Sequence, residues 1–230
     1  MTEQHRSHEI SAEDIPESLP ILPLFDAALF PKMVLPLVVM QPESIQLVDE
    51  AMAKDRLIGL VVAKKPVEGN MNVRDNLNNV GTVALILKMA KTEDNKLQLL
   101  AQGIGRFEVK KYVQEKPYLK ANVKHIKDIE TKDKEIDALV SNMLSQFTRV
   151  AELSPGLPQE IVVMAKSIQE PGILADMISS TINTSLEEKQ RVLEIYDIKK
   201  RLKEVTRLLN YQLEILELGS KIQSQVKGDM

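Results

Sequence analysis

The feature that most constrains this chain is an apolar pattern of helical spacing between Leu186 and Val226. Ser185 and Glu188 stand three positions apart before it, the arrangement of a capping box at a helix start. Two apolar stripes then lie on neighbouring faces of one helix. The first comprises Ile195, Ile198, Leu202, Val205, Leu209 and Leu216, and the second comprises Leu208, Ile215 and Ile222. The spacing predicts a single helix of about 40 residues, on the order of 60 Å long, whose far end projects and needs a partner.

Because this apolar pattern still runs close to Met230, we expect the sequence to be part of a longer protein. Its 230 residues and 43% apolar content allow one or two domains with a real core. A net charge of -3, with both signs mixed, gives no field that would gather nucleic acid or an anionic membrane. The lack of cysteine excludes disulfides and thiolate metal sites, and no signal peptide or membrane span is recognisable. We therefore expect a cytoplasmic protein.

The first half of the chain has the pattern of a β domain. Residues 1–18 are polar and unpatterned, and we predict a flexible leader there. Residues 19–126 contain short runs of Val, Ile and Leu between Pro, Gly and Asn, with one helix predicted over 45–54. Pro36 and the prolines before it predict an edge or bulged strand. Residues 80–112 read as a hairpin that turns at residues 92–95. In its first strand Val83, Leu85, Leu87 and Met89 are predicted to share a face, and in its second strand Leu97, Leu99 and Ala101 share another. A bulge predicted at Gly103 and Gly105 suits a small curved sheet or barrel.

The pattern changes to helical spacing and high charge after His125. The spacing predicts helices over 134–150, 158–167 and 172–181, which together form a bundle of short helices over residues 127–185. The long helix then occupies residues 186–230. The predicted fold class is α+β, with a β subdomain followed by a helical bundle that ends in a projecting helix.

Motifs for enzymatic chemistry are missing from the sequence. No Gly-x-x-x-x-Gly-Lys-Ser/Thr loop occurs, and no nucleophile stands in a recognisable setting, so we expect no ATPase or protease site in this chain. His5 and His8 have a spacing that could hold a metal on a helix, but a solvated tail explains them more simply. We predict no metal site, no cofactor and no catalytic residue here.

Two groups of apolar residues are candidates for contacts with other chains. The first crowds a proline-rich segment that an edge strand can bury only in part. Core packing explains most of its members, whereas an exposed subset would suit adaptable binding of unrelated apolar chains. The predicted contact residues are Phe25, Leu29, Phe30, Met33, Leu35 and Met40. The second group is predicted to serve in assembly and comprises Leu208, Leu209, Ile215, Leu216 and Ile222.

Two stretches resemble the N-terminal domain of Lon, the ATP-dependent serine protease. The first is LPILPLFDAALFPKMVLPL from Leu19, followed by GTVA from Gly81 and QGIGRF from Gln102. The second is EPGILADMIS from Glu170, followed by EEKQRVLE from Glu187, Arg201-Leu202 and KIQSQVK from Lys221. The resemblance implies a PUA-like β subdomain and a helical bundle. It also implies that a hexameric full-length protein carries ATP, Mg²⁺ and a Ser-Lys peptidase in modules that have no matching positions here.

The resulting hypothesis is a substrate-recognition and assembly domain of a Lon-type protease, which degrades misfolded, damaged and short-lived regulatory proteins. Its expected partners are unfolded or damaged polypeptides and further copies of itself, with no membrane contact. The alternative is a free-standing PUA-like adaptor or RNA-binding module. A basic, aromatic face would indicate RNA binding, and the composition does not offer one, so we do not expect nucleic acid as a partner of this domain.

Overall fold

The structure is a computed structural model that describes residues 10, 14–66, 72–131 and 133–228. It divides into two compact units, Met1–Ile126 and Lys127–Met230. The first contains the β-strands and the second is helical, so the predicted α+β class is confirmed. Most of the predicted flexible leader, including His5 and His8, lies outside the described residues. Within that leader, Ile10 and Ile15 pack against the core of the first unit, so it is not wholly without structure.

The first unit contains six strands and one regular α-helix among its described residues. The strands are β1 (Ser18–Leu24), β2 (Val34–Val39), β3 (Leu57–Val62), β4 (Val80–Lys91), β5 (Leu97–Gln114) and β6 (Lys120–Ile126), and helix α1 is Pro42–Met52. The strand order is β2-β5-β4-β3-β1-β6, and β6 pairs back onto β5. Five strands therefore close into a ring, while β2 pairs only with the first half of β5 and lies outside the ring.

Alternating apolar residues give the first half of β5 one buried face, as the hairpin pattern predicts. Leu97, Leu99 and Ala101 on β5 are all buried. Val83 pairs with Gly105 and Ala84 with Gly103, so Ile104 is the extra residue of the predicted bulge. A second bulge at Leu87 was not predicted. It shifts the side-chain alternation of β4 and leaves Leu87 36% exposed, so the prediction that Leu87 shares a face with Val83 is wrong.

The second unit contains five helices among its described residues. They are α2 (Lys134–Leu153), α3 (Gln159–Ser167), α4 (Pro171–Thr181), α5 (Leu186–Leu193) and α6 (Ile198–Gly228). Helices α2, α3 and α4 each begin within one residue of their predicted starts at 134, 158 and 172. The Ser185 hydroxyl accepts a hydrogen bond from the Glu188 amide at 3.2 Å, as the capping box predicts.

The prediction of one helix from Leu186 onward is wrong, because the chain breaks between α5 and α6. The Asp197 carboxylate accepts a hydrogen bond from the Lys200 amide at 2.9 Å and caps a new helix. Ile129 pairs with the main chain at the break, its amide donating to the Tyr196 carbonyl at 2.9 Å. Helix α6 alone has 31 residues and is about 46 Å long.

The two halves of α6 have different surroundings. In its first half, Leu202, Val205, Leu208 and Leu209 are buried, and α6 packs chiefly on α2 and α4. From residue 210 to residue 226 every side chain is exposed or only half-buried. Tertiary packing therefore anchors the helix by its first half, and its second half presents side chains to solvent.

Candidate functional site

Strand β2 has one buried and one exposed set of side chains. Leu37 and Val39 point into the unit and are buried. The alternate residues are exposed, and Val38 and Met40 each reach 59% exposure although both are apolar. We call this exposed set the β2 face, and it consists of Val34, Pro36, Val38 and Met40.

The structure divides the six predicted contact residues into core and surface. Leu29 and Phe30 are buried and belong to the core, so their prediction as exposed contact residues is wrong. Met33 and Leu35 are half-buried on the inward side of the chain. Phe25 and Met40 are exposed, but only Met40 belongs to the β2 face. Val34 and Val38 were missed because the odd and the even positions of this segment are both apolar, so alternation does not show which side is exposed.

A tight turn before β2 and a glycine on β5 set the position of the β2 face. The Met33 amide donates to the Phe30 carbonyl at 3.1 Å, and Lys32 within this turn has φ 64°. Gly103 of β5 exchanges hydrogen bonds with Lys32 and Met33. A Cβ at Gly103 would lie 2.2 Å from the Phe30 carbonyl oxygen, so only glycine permits this close approach. The β5 bulge thereby holds the start of β2.

A second exposed apolar set follows one side of α6. Its members are each more than half exposed and recur at intervals of three or four residues. We call it the α6 stripe, and it comprises Tyr211, Ile215, Leu218, Ile222 and Val226. Of the predicted assembly residues, Ile215 and Ile222 belong to it, Leu216 is half-buried, and Leu208 and Leu209 are core. The prediction of the last two as surface contacts is therefore wrong.

A buried ionic cluster at the start of α6 was not recognised from the sequence. The Arg201 guanidinium is fully buried and donates to the Asp128 carboxylate with both terminal nitrogens, one bond measuring 2.9 Å. Its Nη1 also lies 3.5 Å from Oδ1 of the buried Asp176, and its Nε donates to the Ile195 carbonyl at 2.8 Å. Burial alone would lower the pKa of Arg201, but its hydrogen bond to Asp128 and the nearby carboxylates raise that pKa overall. The cluster joins α4 and α6 to the chain preceding α2.

An open cavity of about 600 Å³ lies beside Asp128 and has an acidic rim that includes Glu130, Asp137 and Glu170. Over the described ranges, no group of His, Asp or Glu side chains is arranged to hold a metal ion. Nor does any helix in the described part of the chain have the length and apolarity to cross a membrane. The exposed apolar groups on β2 and α6 are candidate surfaces for contact with another protein.

Comparison with known protein families identifies the kind of domain. Residues 18–211 match the family model described as the ATP-dependent protease La (LON) substrate-binding domain. The chain belongs to this family. The match covers most of both units, and it confirms the resemblance inferred from the two sequence stretches.

Relatives of the chain are Lon proteases from bacteria. The chain is 53% identical over 219 residues to a Lon protease of Syntrophus aciditrophicus, covering 94% of this chain and 28% of the relative. It is 47% identical over 220 residues to a Lon protease of Desulfosudis oleivorans, covering 96% of this chain and 27% of that protein. The sequence thus spans little more than a quarter of the length of these relatives.

Two solved structures share the fold. The N-terminal domain of Mycobacterium avium complex Lon protease superposes with a TM-score of 0.67 at 23% identity, covering 86% of this chain and 98% of that one. A Lon N-terminal domain protein from Xanthomonas campestris gives a TM-score of 0.59 at 17% identity, covering 82% and 96%. At these identities the likeness concerns the fold, with its strand ring and helical unit.

Proposed function

We propose that this domain recognises unfolded or damaged polypeptides, including short-lived regulatory proteins, for an ATP-dependent Lon protease. The β2 face carries the recognition. It presents three apolar side chains and a proline to solvent on a surface held in place by β5. Unfolded proteins expose apolar segments that folded proteins bury, so an exposed apolar surface favours the unfolded form.

Contact through the β2 face is weak for a single domain, because the surface is small. Several domains on one assembly raise the effective concentration of the second and later contacts. Adaptable side chains such as Met40 also suit segments of unrelated sequence. These properties match the needs of a domain that holds many different chains briefly.

The test is a binding titration of the chain with a reduced and alkylated, permanently unfolded protein and with the same protein in its folded, disulfide-bonded form. We expect preferential binding of the unfolded form, and loss of at least about tenfold in affinity in the double variant Val38→Ser/Met40→Ser. The matched control is Val163→Ser/Met164→Ser, which removes an equally exposed Val and Met from α3.

Both variants replace surface residues, so both should keep the wild-type melting temperature. Equal binding of the folded and unfolded forms would argue against recognition of unfolded chains. Equal loss in the two double variants would show that any exposed apolar pair serves, and would remove the β2 face from the proposal.

The α6 stripe supports self-association as the second part of the proposed function. Tyr211, Ile215, Leu218 and Ile222 follow each other at intervals of four, three and four residues, the seam spacing of a two-stranded coiled coil. Glu214 and Lys221 flank this seam at equivalent positions and have no ion pair among the described residues. In an antiparallel pair, Glu214 of each copy faces Lys221 of the other, whereas a parallel pair brings neither opposite a charge.

Analytical ultracentrifugation measures this self-association directly. We expect Ile215→Asp/Ile222→Asp to reduce self-association, while Val163→Asp/Met164→Asp leaves it unchanged. Glu214→Lys and Lys221→Glu should each weaken the antiparallel pair, and their combination should restore it. An unchanged mass distribution in the aspartate variant would exclude the stripe, and a double charge variant weaker than either single one would exclude the antiparallel arrangement.

In the full-length protein, the ATP and Mg²⁺ would act in an ATPase module for which this sequence has no nucleotide-binding loop. Self-association of the domain would then accompany assembly of a hexamer in the cytosol. The free-standing adaptor or RNA-binding module, the other interpretation of the sequence, is not favoured by the family match.

A further inference from the structure

Strand β2 has a free edge along its whole length. Its only strand partner within the described ranges is β5, in the register Val34 opposite Gln102 to Val39 opposite Leu97. The other five strands form the closed ring, which gives most of their main-chain groups partners on both sides. A free edge presents a row of N–H and C=O groups that can pair with another extended chain.

The register shows which main-chain groups face this edge. Residues opposite each other in antiparallel strands alternate between hydrogen-bonded and non-hydrogen-bonded pairs. Gly103 donates its amide to the Met33 carbonyl at 2.8 Å, so Leu35, Leu37 and Val39 continue the bonded set towards β5. The position of Pro36 opposite Leu100 fits this pattern, because proline has no N–H and can occupy only a non-bonded pair. Val34 and Val38 therefore turn an N–H and a C=O to the free edge, and Pro36 turns a C=O only.

Charge does not protect this edge. Proteins commonly guard exposed strand edges with lysine, proline or a bulge. The second half of β4 also lacks a partner on one side. There a bulge at Leu87 and two lysines, Lys88 and Lys91, guard the exposed edge. From Val34 to Met40 the edge carries Pro36 but no charged residue. This edge without charged residues and the exposed apolar face belong to the same strand.

We propose that β2 captures an extended segment of an unfolded polypeptide as an added β-strand, on the side opposite β5. Main-chain hydrogen bonds at Val34, Pro36 and Val38 then hold the segment whatever its sequence, while the β2 face contacts alternate side chains. The inference rests on the proposed function. It explains how one surface can bind many chains of unrelated sequence. It also explains the position of Pro36, which limits edge-to-edge aggregation by removing one donor without closing the edge.

Two substitutions at Val38 separate main-chain pairing from apolar contact. Val38→Pro keeps an apolar side chain, removes the outward N–H and leaves the bonds to β5 intact. Val38→Thr keeps the N–H and the shape but adds a hydroxyl. If strand addition holds the segment, Val38→Pro lowers the affinity for the permanently unfolded protein about tenfold or more, and Val38→Thr lowers it less than about threefold. The reverse order would overturn strand addition in favour of side-chain contact.

A peptide comparison gives the same answer without relying on any variant to fold. The probe is a soluble peptide with eight alternating valine and threonine residues between terminal lysines, used with an analogue whose central amides are all N-methylated. Strand addition predicts that the analogue, which keeps every side chain but lacks the donors, no longer binds. Undiminished binding of the analogue would overturn strand addition.

Amide hydrogen exchange locates the event on the strand. In the free chain, the amides of Leu37 and Val39 should exchange slowly, whereas those of Val34 and Val38 should exchange quickly. Bound peptide should slow exchange at Val34 and Val38 specifically. Peptide binding without that protection would overturn strand addition and leave the proposed function standing. If the wild-type chain binds neither the unfolded protein nor the peptide, the proposed function fails and the inference fails with it.

Discussion

The buried ionic cluster leads to the sharpest prediction about stability. Replacing Arg201 by methionine keeps an unbranched chain of similar length but removes the cation that faces Asp128 and Asp176. Asp128 is 29% exposed and can recover hydration from solvent. Asp176 is 3% exposed and cannot, so the substitution removes a positive charge from beside a buried carboxylate.

The expected magnitude follows from that difference in burial. Breaking a buried ion pair by removing one partner costs about 3–5 kcal/mol of unfolding free energy. Such a loss is a large fraction of the total stability of a domain, which is about 5–15 kcal/mol. For a unit of this size it corresponds to a melting temperature lower by more than about 10 °C.

Urea unfolding followed by far-ultraviolet circular dichroism measures the effect, because the helical unit supplies most of the helical signal. Arg149→Met is the matched control, since Arg149 also faces two carboxylates, Glu152 and Glu217, but is half exposed. Its loss should cost no more than about 1 kcal/mol. Adding Asp176→Asn to Arg201→Met should restore part of the stability. A cost for Arg201→Met that equals the cost for Arg149→Met would refute the reasoning.

Two further predictions concern the first unit. Gly103→Ala should destabilise it by about 1–3 kcal/mol, because the new Cβ would meet the Phe30 carbonyl, and a wild-type melting curve would contradict this. Burial, with the hydrogen bond that the Tyr118 hydroxyl donates to Glu50, raises the pKa of Tyr118 to about 12. The folded state favours the neutral phenol, so this pKa shift contributes to the free energy of unfolding. The contribution is complete below pH 10 and is lost as the pH rises through about 12. Spectroscopic titration of tyrosinate should lose one late-titrating group in Tyr118→Phe, and an unchanged titration would contradict this prediction.

Local patterns in the sequence predicted the parts of the fold that depend on near neighbours. The alternation of Leu97, Leu99 and Ala101 predicted a strand face, and the glycines at 103 and 105 predicted the bulge. Ser185 predicted a helix start through its cap. These signals act within a few residues, so they hold whatever the rest of the fold does.

The errors arise where distant parts of the chain meet. The apolar spacing of Ile195, Ile198 and Leu202 continues across the break before α6, and the pairing of Ile129 with the chain at Asp197 is a tertiary contact. Asp197 was the available signal, as a residue suited to capping a second helix. Arg201 resembled an ordinary charged position because its partner Asp128 lies far away in sequence.

The site residues were only partly predictable for a similar reason. The segment from Met33 to Met40 is apolar at both odd and even positions, so alternation cannot assign its inward side. Pro36 could have done so, because proline is usually exposed and at a sheet edge turns its missing donor outward. On α6, the four-three-four spacing from Tyr211 could have separated the exposed stripe from the buried one.

The most direct test of substrate recognition maps binding residue by residue. Nuclear magnetic resonance spectra of the isotopically labelled chain, recorded with increasing amounts of the permanently unfolded protein, show which amides change. The account predicts shifts concentrated between Val34 and Met40 and on the facing part of β5, with none at Val163 and Met164. Shifts centred elsewhere, or unchanged spectra at saturating concentrations, would contradict it.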